Sequence, residues 1–476
     1  MPNDQRFVLD ATTEKLLPWV VAIAFFMQTL DTTILNTTLP RMAIALGESP
    51  LRMQSVVVVY TLTVALLIPA SGWLADRFGT RRAFAGALVI FSLGSLFCAL
   101  SPTLDWLVLS RIIQGVGGAL LLPVGRLTIL RAFPRSDRLR VLAFVTVPGL
   151  LGPLVGPPLG GWLVEIASWH WVFLINLPVG LLGVVATLRV VPALRSPLEQ
   201  RFDWPGFALF SAGLVMVSLG LQGLGEHAIG RATSMLLAVG GLAAMAAYWM
   251  HAARVDNALF SLRLFKIPTF SIGVVGNLFA RLGSSSAPFL IPIFLQVGLG
   301  YAPTTAGFSM VAAVVGAMTL KSIAVPVIER LGYRVVLVGN TLLVGSFIAS
   351  FALLDRSVPL PVIIVQLLLF GLVNSMQFTA MNTLTLSDLD EERASAGNSL
   401  LSVVMQLAMG LGVAAAGAML AAFGGTPPPA DEAKVLYMFR ATFICMGLLT
   451  AAAATIFSQL GRHEGPSVPA SVVEES

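Results

Sequence analysis

Five charged residues stand inside long apolar stretches of this sequence: Asp31, Arg111, Arg126, Arg281 and Lys321. Charge in such surroundings is expensive, and it is usually retained for a function such as ion or proton transfer. Asp31 is the only acid in the set, and arginine stays protonated. The sequence therefore singles out Asp31 as the group that binds and releases a proton.

Asp31 and Arg111 are predicted to lie at similar depth in their helices. They stand about eight and six residues from the same end of the bundle, which at about 1.5 Å per residue is roughly 12 and 9 Å deep. Pairing with a guanidinium favours an ionised carboxylate, whereas burial favours the protonated one. A group balanced in this way can exchange a proton as water access changes. The alternative is a static structural pair.

The composition identifies the class of protein. Of the 476 residues, 56% are hydrophobic and 11% charged, and the mean hydropathy is +0.86. Soluble domains carry about 25% charged residues, so a water-soluble globule and a disordered chain are both excluded. The net charge of +5 is expected at a membrane rim rather than in a nucleic-acid patch. Cys98 and Cys445, the only cysteines, lie in apolar runs, so no disulfide framework is expected.

Apolar runs bounded by charge, Pro or Gly predict an all-α polytopic membrane protein with fourteen spans. They lie near 16–39, 52–75, 82–100, 105–131, 139–165, 171–191, 204–223, 232–250, 268–296, 304–326, 334–353, 360–386, 395–423 and 437–459. These continuous runs lack the two-residue alternation of an outer-membrane barrel.

The basic residues are distributed unevenly between the two sides of the predicted spans. Of the 29 Lys and Arg, 19 lie on the side of the N-terminus, six on the other side and four within spans. This asymmetry follows the positive-inside rule and predicts that both termini are cytoplasmic.

One loop motif occurs twice. GWLADRFGTRR (72–82) and PVIERLGYR (326–334) share the pattern acid, Arg, any residue, Gly, any residue, Arg. Each follows the second helix of a six-helix block, and parallel repeats of this kind are typical of transporters that close around a central site. Chance is the alternative, since Arg-rich loops are common. The repeat predicts an N-terminal tail (1–15), a six-helix bundle (16–191), a linker with two extra helices (192–267), a second six-helix bundle (268–459) and a C-terminal tail (460–476).

Four motifs in this order resemble the major facilitator superfamily, and in particular its fourteen-helix drug:proton antiporter branch. They are LDTTILNTTLP (30–40), GWLADRFGTRR (72–82), RIIQGVGGA (111–119) and GLLGPLVGPPLGG (149–161). The resemblance covers nearly the whole chain. One departure is His170, where that family usually has Arg between two tryptophans.

The resemblance implies a major facilitator fold, with two six-helix bundles and an inserted two-helix hairpin. It also implies a multidrug efflux antiporter that exports small amphiphilic compounds in exchange for protons by alternating access. The same fold allows proton-coupled transport of one endogenous metabolite. A membrane sensor or enzyme is the third alternative, but the loops are short and no nucleophile–base arrangement is visible.

No Walker loop, HExxH motif or Cys/His metal cluster occurs in the sequence. We therefore expect no catalytic residues, no metal and no cofactor, with the proton as coupling ion. The expected partners are a small-molecule substrate, protons and membrane lipid, without nucleic acid. The expected setting is the bacterial inner membrane, with a monomer as the working unit.

The repeated loop is expected to form a cytoplasmic latch, whose charge pairs break as the transporter changes conformation. The latch residues are Gly72, Asp76, Arg77, Gly79, Arg81, Arg82, Glu329, Arg330, Gly332 and Arg334. The alternative is a plain topology anchor, since basic residues favour the inner membrane surface.

The fifth span carries the antiporter motif implied by the resemblance. Its residues are Gly152, Pro153, Gly156, Pro157, Gly160 and Gly161. Glycine at every fourth position makes a smooth helix face for close packing, and proline bends the helix. In the family this segment seals the two halves and accompanies export. The alternative is a packing and kink motif with no directional meaning.

Polar residues within the spans are candidates for the substrate cavity, although some must satisfy helix contacts instead. They are Gln28, Asn36, Gln114, Arg126, Asn277, Arg281, Gln296, Asn374 and Gln377. The five charges within spans sum to +3 when Asp31 is ionised. If two of the bases reach the cavity, anionic, zwitterionic or neutral compounds are favoured over purely cationic dyes.

The topology is tested by cysteine labelling in a background without Cys98 and Cys445. Cysteine at Ser196 is expected to react only from the cytoplasm, and cysteine at Pro102 only from outside, because the basic residues are concentrated on one side. Labelling of both positions from the same side contradicts the fourteen-span arrangement.

Overall fold

The computed structural model describes residues 10–195, 202–226, 230–255, 258–425 and 431–461. Within them, fourteen helical stretches are long and apolar enough to cross a membrane, which confirms the predicted number of spans. The predicted tails 1–15 and 460–476 lie largely outside the described residues, as do 196–201 of the linker, including Ser196. The helices are α1 (Ala11–Leu46), α2 (Gln54–Phe78), α3 (Thr80–Ala99), α4 (Leu104–Ala132), α5 (Arg135–Ile166), α6 (Trp171–Leu174), α7 (Asn176–Val190), α8 (Trp204–Glu226), α9 (Arg231–Ala252), α10 (Pro268–Ser284), α11 (Ala287–Ile293), α12 (Pro303–Leu331), α13 (Tyr333–Ser350), α14 (Leu360–Leu386), α15 (Glu391–Gly424), α16 (Glu432–Ala452) and α17 (Ala454–Phe457).

The first helix is longer than the predicted 16–39. It begins at Ala11, runs through Pro40 and ends at Leu46. A proline removes one helical hydrogen bond, but the close packing of α1 against α5 keeps the helix continuous here. The helix ends because Gly47 adopts a left-handed conformation, with φ of 68°.

The ninth span is interrupted. It divides at Ser285 and Ser286 between α10 and α11, and it ends in a π-helical turn, Phe294–Gly298. Pro288 and Pro292 precede this turn, and each lacks the backbone donor that a regular helix requires. Single π-helical turns often mark functional sites.

Two bundles repeat the same packing. α1 packs on α5 and α3 on α4 in the first bundle, and α10 packs on α15 and α13 on α14 in the second. Gly79 and Gly332 stand 253 residues apart, and the same shift carries α2, α3 and α4 onto α12, α13 and α14 within four residues at each end. The structure therefore shows the two six-helix bundles implied by the repeated loop.

The two loop glycines share an unusual backbone conformation. Gly79 has φ of 84° and ψ of 151°, and Gly332 has φ of 77° and ψ of 154°. This combination is accessible essentially only to glycine. The two loops are thus equivalent in conformation as well as in sequence.

The inserted helices α8 and α9 form a hairpin, and α8 packs against α2 and α15 where the two bundles meet. The Asp203 carboxylate stabilises the start of this hairpin. It accepts hydrogen bonds from the N–H groups of Gly206 and Leu259, and it is hydrogen-bonded to Nε2 of His251 at 2.8 Å. Partial burial opposes the charge of Asp203, but these hydrogen bonds prevail and hold its pKa below the ordinary value.

The bundles pack against each other more extensively on one side than on the other. We call the side of the Gly79 and Gly332 turns the terminal face, because α1 begins there, and the other side the opposite face. Near the opposite face one apolar core contains residues of both bundles, among them Leu35 and Leu290. Toward the terminal face the cores are separate, one around Phe84 and one around Leu384. Contact on that half persists mainly along α2, α8 and α15.

The Gly332 turn gives a test of the backbone constraint. Gly332→Ala is expected to destabilise the protein by about 1–3 kcal/mol, because alanine is strained at positive φ. Gly339→Ala is the matched control, since both glycines face open space and only Gly332 has positive φ. Thermal unfolding of the purified variants measures the difference. Equal melting temperatures contradict the proposed strain.

Candidate functional site

The core of the first bundle contains a buried ion pair. Nη1 of Arg111 on α4 donates to Oδ2 of Asp31 on α1 at 2.7 Å, and each residue is 1% exposed. The structure thus brings together the two residues that the depth estimate pairs.

Amide side chains complete the coordination of Asp31. Nε2 of Gln114 donates to Oδ1 of Asp31 at 2.7 Å, and Nδ2 of Asn176 on α7 donates to the same oxygen at 3.0 Å. Both amides also donate to the hydroxyl of Ser95 on α3. Oε1 of Gln114 accepts from Nη1 of Arg111 at 2.5 Å, so Gln114 bridges the acid and the base. Three helices, α1, α4 and α7, therefore meet at one carboxylate, and α3 joins the cluster through Ser95.

Arg111 is held from α2 as well. Its Nε donates to the carbonyl of Val56 at 3.3 Å, and its guanidinium lies 4.0 Å from the centre of the Tyr60 ring. A cation over an aromatic face is stabilised electrostatically. The guanidinium therefore has partners besides Asp31 that persist when the carboxylate changes its protonation state.

The glycine stripe of α5 packs on α1, the helix that carries Asp31. A Cβ atom added at Gly152 or Gly156 would lie 2.3 Å from the hydroxyl of Thr29 or Thr33 respectively, and one at Gly160 would lie 2.4 Å from a backbone oxygen. Real side chains do not fit at such distances. Glycine is therefore required along this stripe for α1 and α5 to touch.

The far end of α5 contacts the second bundle at the opposite face. A Cβ atom at Gly161 would lie 2.4 Å from the Pro303 carbonyl oxygen, and one at Gly307 would lie 2.3 Å from that of Pro157. The Glu165 carboxylate accepts the N–H of Thr304 at 2.9 Å. α5 therefore connects the Asp31 helix directly with α12.

A cavity of about 260 Å³ lies between the bundles. Residues of α1, α5, α11, α12 and α14 line it, and most are apolar. Its two amides are Asn36 and Asn374, and the Oδ1 atom of each is buried without a hydrogen-bond partner in the part of the chain that the structure describes. Pro153 and Pro157 of the α5 motif also line it, so the motif touches the cavity directly. An apolar cavity with a few polar groups is typical of a small-molecule site.

Arg281 forms a second buried basic site, in the second bundle. Its Nε donates to Oδ1 of Asn277 at 2.9 Å, and its Nη2 donates to Oδ1 of Asn382 on α14 at 3.2 Å. The guanidinium lies 3.6 Å from the centre of the Phe378 ring. Arg281 is 4% exposed, and no carboxylate pairs with it among the described residues.

Four other candidates for the substrate cavity lie elsewhere. Gln114 belongs to the Asp31 site, and Gln28 donates to the Gly118 carbonyl inside the first bundle. Gln377 bonds Thr341 and Asn340 inside the second bundle, and Gln296 donates to the Thr37 carbonyl across the opposite face. Helix periodicity does not predict whether such a side chain points into the cavity or into a bundle, because every helix of a bundle has several buried sides.

Two basic candidates remain. Arg126 on α4 is half-buried and has no hydrogen-bond or ion-pair partner within the described parts of the chain. Lys321 lies on α12, and its side chain is outside the described structure.

The latch residues of the first loop are tied to their own bundle. Nη2 of Arg131 on α4 donates to Oδ1 of Asp76 at 2.5 Å. Nε of Arg81 donates to the Val191 carbonyl, whereas Arg77 and Arg82 are exposed. Gly72 meets no neighbour, so it provides no close helix contact in this conformation.

The second loop makes no equivalent pair. Glu329 and Arg330 are exposed and Arg334 is half-buried, and within the described residues none of them has a hydrogen-bond or ion-pair partner through its side chain. Among the described residues, the charged side chains of the second loop therefore form no ion pair with the first loop in this conformation.

Sequence reasoning missed Asn176, Ser95 and Tyr60. Asn176 carries a detectable signal, because it is the only amide in the apolar run 171–191. Ser95 and Tyr60 give none, since both residue types are ordinary in membrane helices.

Comparison with known proteins agrees with this architecture. The sequence matches the Major Facilitator Superfamily over residues 21–203 and 273–474, and the unmatched stretch between them contains α8 and α9. "Putative multidrug resistance protein MdtD" of Salmonella heidelberg and that of Salmonella typhimurium are each 51% identical to it, over 93% of this chain and 94% of theirs.

Solved structures share the fold at low sequence identity. An inward-facing, unoccupied bacterial homolog of the human lysosomal transporter Spinster has a TM-score of 0.68 and 16% identity, over 94% of this chain and 97% of that one. A D-xylose-proton symporter has a TM-score of 0.63 and 16% identity, over 93% and 97% of the two chains. With two repeated six-helix bundles and matches over most of its length, this chain belongs to the Major Facilitator Superfamily.

Proposed function

We propose that this chain is a proton-coupled efflux transporter, which exports small amphiphilic compounds, drugs among them, across the bacterial inner membrane. The name of its 51% identical relatives supports the efflux of drugs. The buried pair of Asp31 and Arg111 carries the proton coupling, because a charge pair withdrawn from water at such expense is usually functional. The proton is the only coupling ion that the proposal requires.

Coupling follows from what protonation does to Asp31. Ionised Asp31 accepts hydrogen bonds from Arg111, Gln114 and Asn176, and so it holds α1 against α4 and α7. Protonation neutralises the acid and weakens all three bonds, while Gln114 still accepts from Arg111. The two protonation states thus favour different positions of α1, which is the condition for a ligand to shift a conformational equilibrium.

The movement of α1 reaches the second bundle through α5. Thr33 on α1 donates to the carbonyl of Gly152, and Gly161 on α5 packs against Pro303 of α12. A shift of α1 also moves α5, because the two helices are so closely packed that one cannot move without displacing the other. In this way, protonation of Asp31 loosens the junction of α5 and α12 at the opposite face.

The distribution of basic residues supports a cytoplasmic terminal face. With that orientation we propose that this conformation is inward-facing, since the bundles share one core at the opposite face, whereas toward the terminal face they have separate cores and meet mainly along α2, α8 and α15. We propose that the two repeated loops approach each other when the terminal face closes. In that state the exposed Glu329 and Arg330 come within reach of the first loop, and the bond of Asp76 to Arg131 positions that loop.

The proton site is tested with Asp31→Asn. Asparagine keeps the size of the side chain but cannot ionise, so we expect loss of transport driven by a pH gradient, with insertion and folding retained. Asp105→Asn is the matched control, because Asp105 is an exposed acid at the end of α4. The measurement is flux in proteoliposomes across a panel of compounds, with the pH gradient imposed in each direction.

Three results bear on the proposal. Uphill transport by Asp31→Asn at the wild-type rate places the proton elsewhere and contradicts the mechanism. Flux in the uptake direction, or of a single metabolite only, replaces multidrug export with transport of one endogenous compound. Absence of flux for every compound contradicts the transporter function itself.

The latch is tested with Asp76→Asn. We expect transport to fall more than the amount of protein in the membrane, because the charge that orders the loop through Arg131 is lost. Asp137→Asn serves as control, since Asp137 is an exposed acid on the same face. If Asp76→Asn has the wild-type turnover at normal protein levels, the loop is not a latch and serves only as a topology anchor.

A further inference from the structure

We propose that Arg281 binds an anionic group of the transported compound, so that the pathway selects molecules with a carboxylate or a comparable anion. This inference rests on the proposed transport function and adds the substrate class to it.

The first observation is the incomplete coordination of Arg281. A guanidinium has five N–H donors, and the neutral oxygens of Asn277 and Asn382 accept two of those of Arg281. The other three have no acceptor within the described residues, and Nη1, which makes no hydrogen bond there, is not among the fully buried unpartnered atoms. Donors are therefore left at an accessible edge of the guanidinium.

The second observation is the contrast with Arg111. In the first bundle the buried arginine has its carboxylate, Asp31, at 2.7 Å. The shift of 253 residues between Gly79 and Gly332 places Ser284 at the position that corresponds to Asp31, so the second bundle has no such acid. The segments 268–298, 303–328, 333–353, 360–386 and 393–424 contain no Asp or Glu. A buried cation without a counter-ion is costly, and an anionic ligand offsets that cost.

The third observation is the position of Arg281 beside the cavity. Gly371 and Asn374 on α14 line the cavity, and Phe378 and Asn382 follow on the same side of the helix, one and two turns toward the terminal face. Arg281 contacts both of these last residues, and both are only partly buried. The guanidinium therefore lies on the terminal-face side of the cavity, about one to two helical turns of α14 beyond the lining residue Asn374.

The unpartnered amide oxygens refine the substrate class. Oδ1 of Asn36 and Oδ1 of Asn374 are buried acceptors without donors at the other end of this path. A buried acceptor is satisfied by an N–H or O–H group. The preferred compound thus carries an anion at one end, which pairs with Arg281, and a hydrogen-bond donor at the other.

The test uses two probes that differ by one methyl group, which removes the anion: tetramethylrhodamine with a free carboxylate, a zwitterion, and its methyl ester, a cation. Binding to the purified full-length protein in detergent is followed by fluorescence anisotropy. We expect the wild type to bind the acid about tenfold more tightly than the ester, since hydrogen bonds between charged groups are the stronger ones. Arg281→Gln is expected to abolish the preference and to leave ester binding in place, and Arg281→Lys is expected to keep part of it.

Lys434→Gln is the matched control, because it removes an exposed positive charge at the opposite face, away from the cavity. It is expected to keep the wild-type preference. Equal binding of both probes by the wild type, binding of neither, or an unchanged preference in Arg281→Gln overturns the proposal. If Arg281→Gln does not fold, Arg281→Lys decides, because an arginine with a purely structural role leaves the ratio of the two affinities unchanged in the lysine variant.

Flux in proteoliposomes separates this inference from the proposed function. Uphill transport of the ester and the acid at equal rates by the wild type removes the anion selectivity and leaves the efflux function intact. Absence of proton-driven transport of any compound removes both.

Discussion

The pairing of Asp31 with Arg111 is the constraint around which the first bundle is organised. Two charges withdrawn from water are tolerated only when both are fully hydrogen-bonded. Here Gln114 and Asn176 also donate to the carboxylate, and the guanidinium has the Val56 carbonyl, Oε1 of Gln114 and the Tyr60 ring as further partners. α1, α2, α4 and α7 are therefore fixed relative to one another by a single polar cluster. In the proposed mechanism protonation of Asp31 weakens the contacts of α1 with α4 and α7, whereas those of Arg111 with α2 persist.

The second bundle repeats the packing but not the charge pair. Its turn at Gly332 matches that at Gly79 in conformation, yet its buried arginine has only neutral partners among the described residues. In the proposed mechanism the proton binds in the first bundle, and the anionic group of the substrate binds to Arg281 in the second. They communicate across the α5–α12 contact, where glycine allows two backbones to touch. Because the bundles must part at one face when they close at the other, binding in either bundle biases the same rigid-body movement.

Much of this organisation is predictable from the sequence, because a lipid bilayer requires long apolar helices and makes charged residues within them rare. Fourteen apolar runs become fourteen spans, and the rare acid and base at matching depth become a pair. The inserted hairpin and the repeated loop also follow from order and pattern. The length of α1 does not follow from the sequence. A proline such as Pro40 usually marks the end of a helix, but here the helix continues to Leu46.

The direction of each polar side chain is harder to predict. Gln114, Gln296 and Gln377 have the same residue type in similar surroundings, yet one completes the ion pair, one joins the bundles and one fastens α13 to α14. Only the arrangement of all helices decides which side of each is inside. For the same reason Asn176 is visible in the sequence as an isolated amide, but its partner is not.

Proton release on substrate binding measures the central coupling most directly. Purified protein in weakly buffered detergent solution receives a transported compound, and the pH change reports the protons released per transporter. If Asp31 carries the coupling proton, the wild type releases protons and Asp31→Asn releases none while it still binds the compound. Equal release by both proteins contradicts a proton site at Asp31.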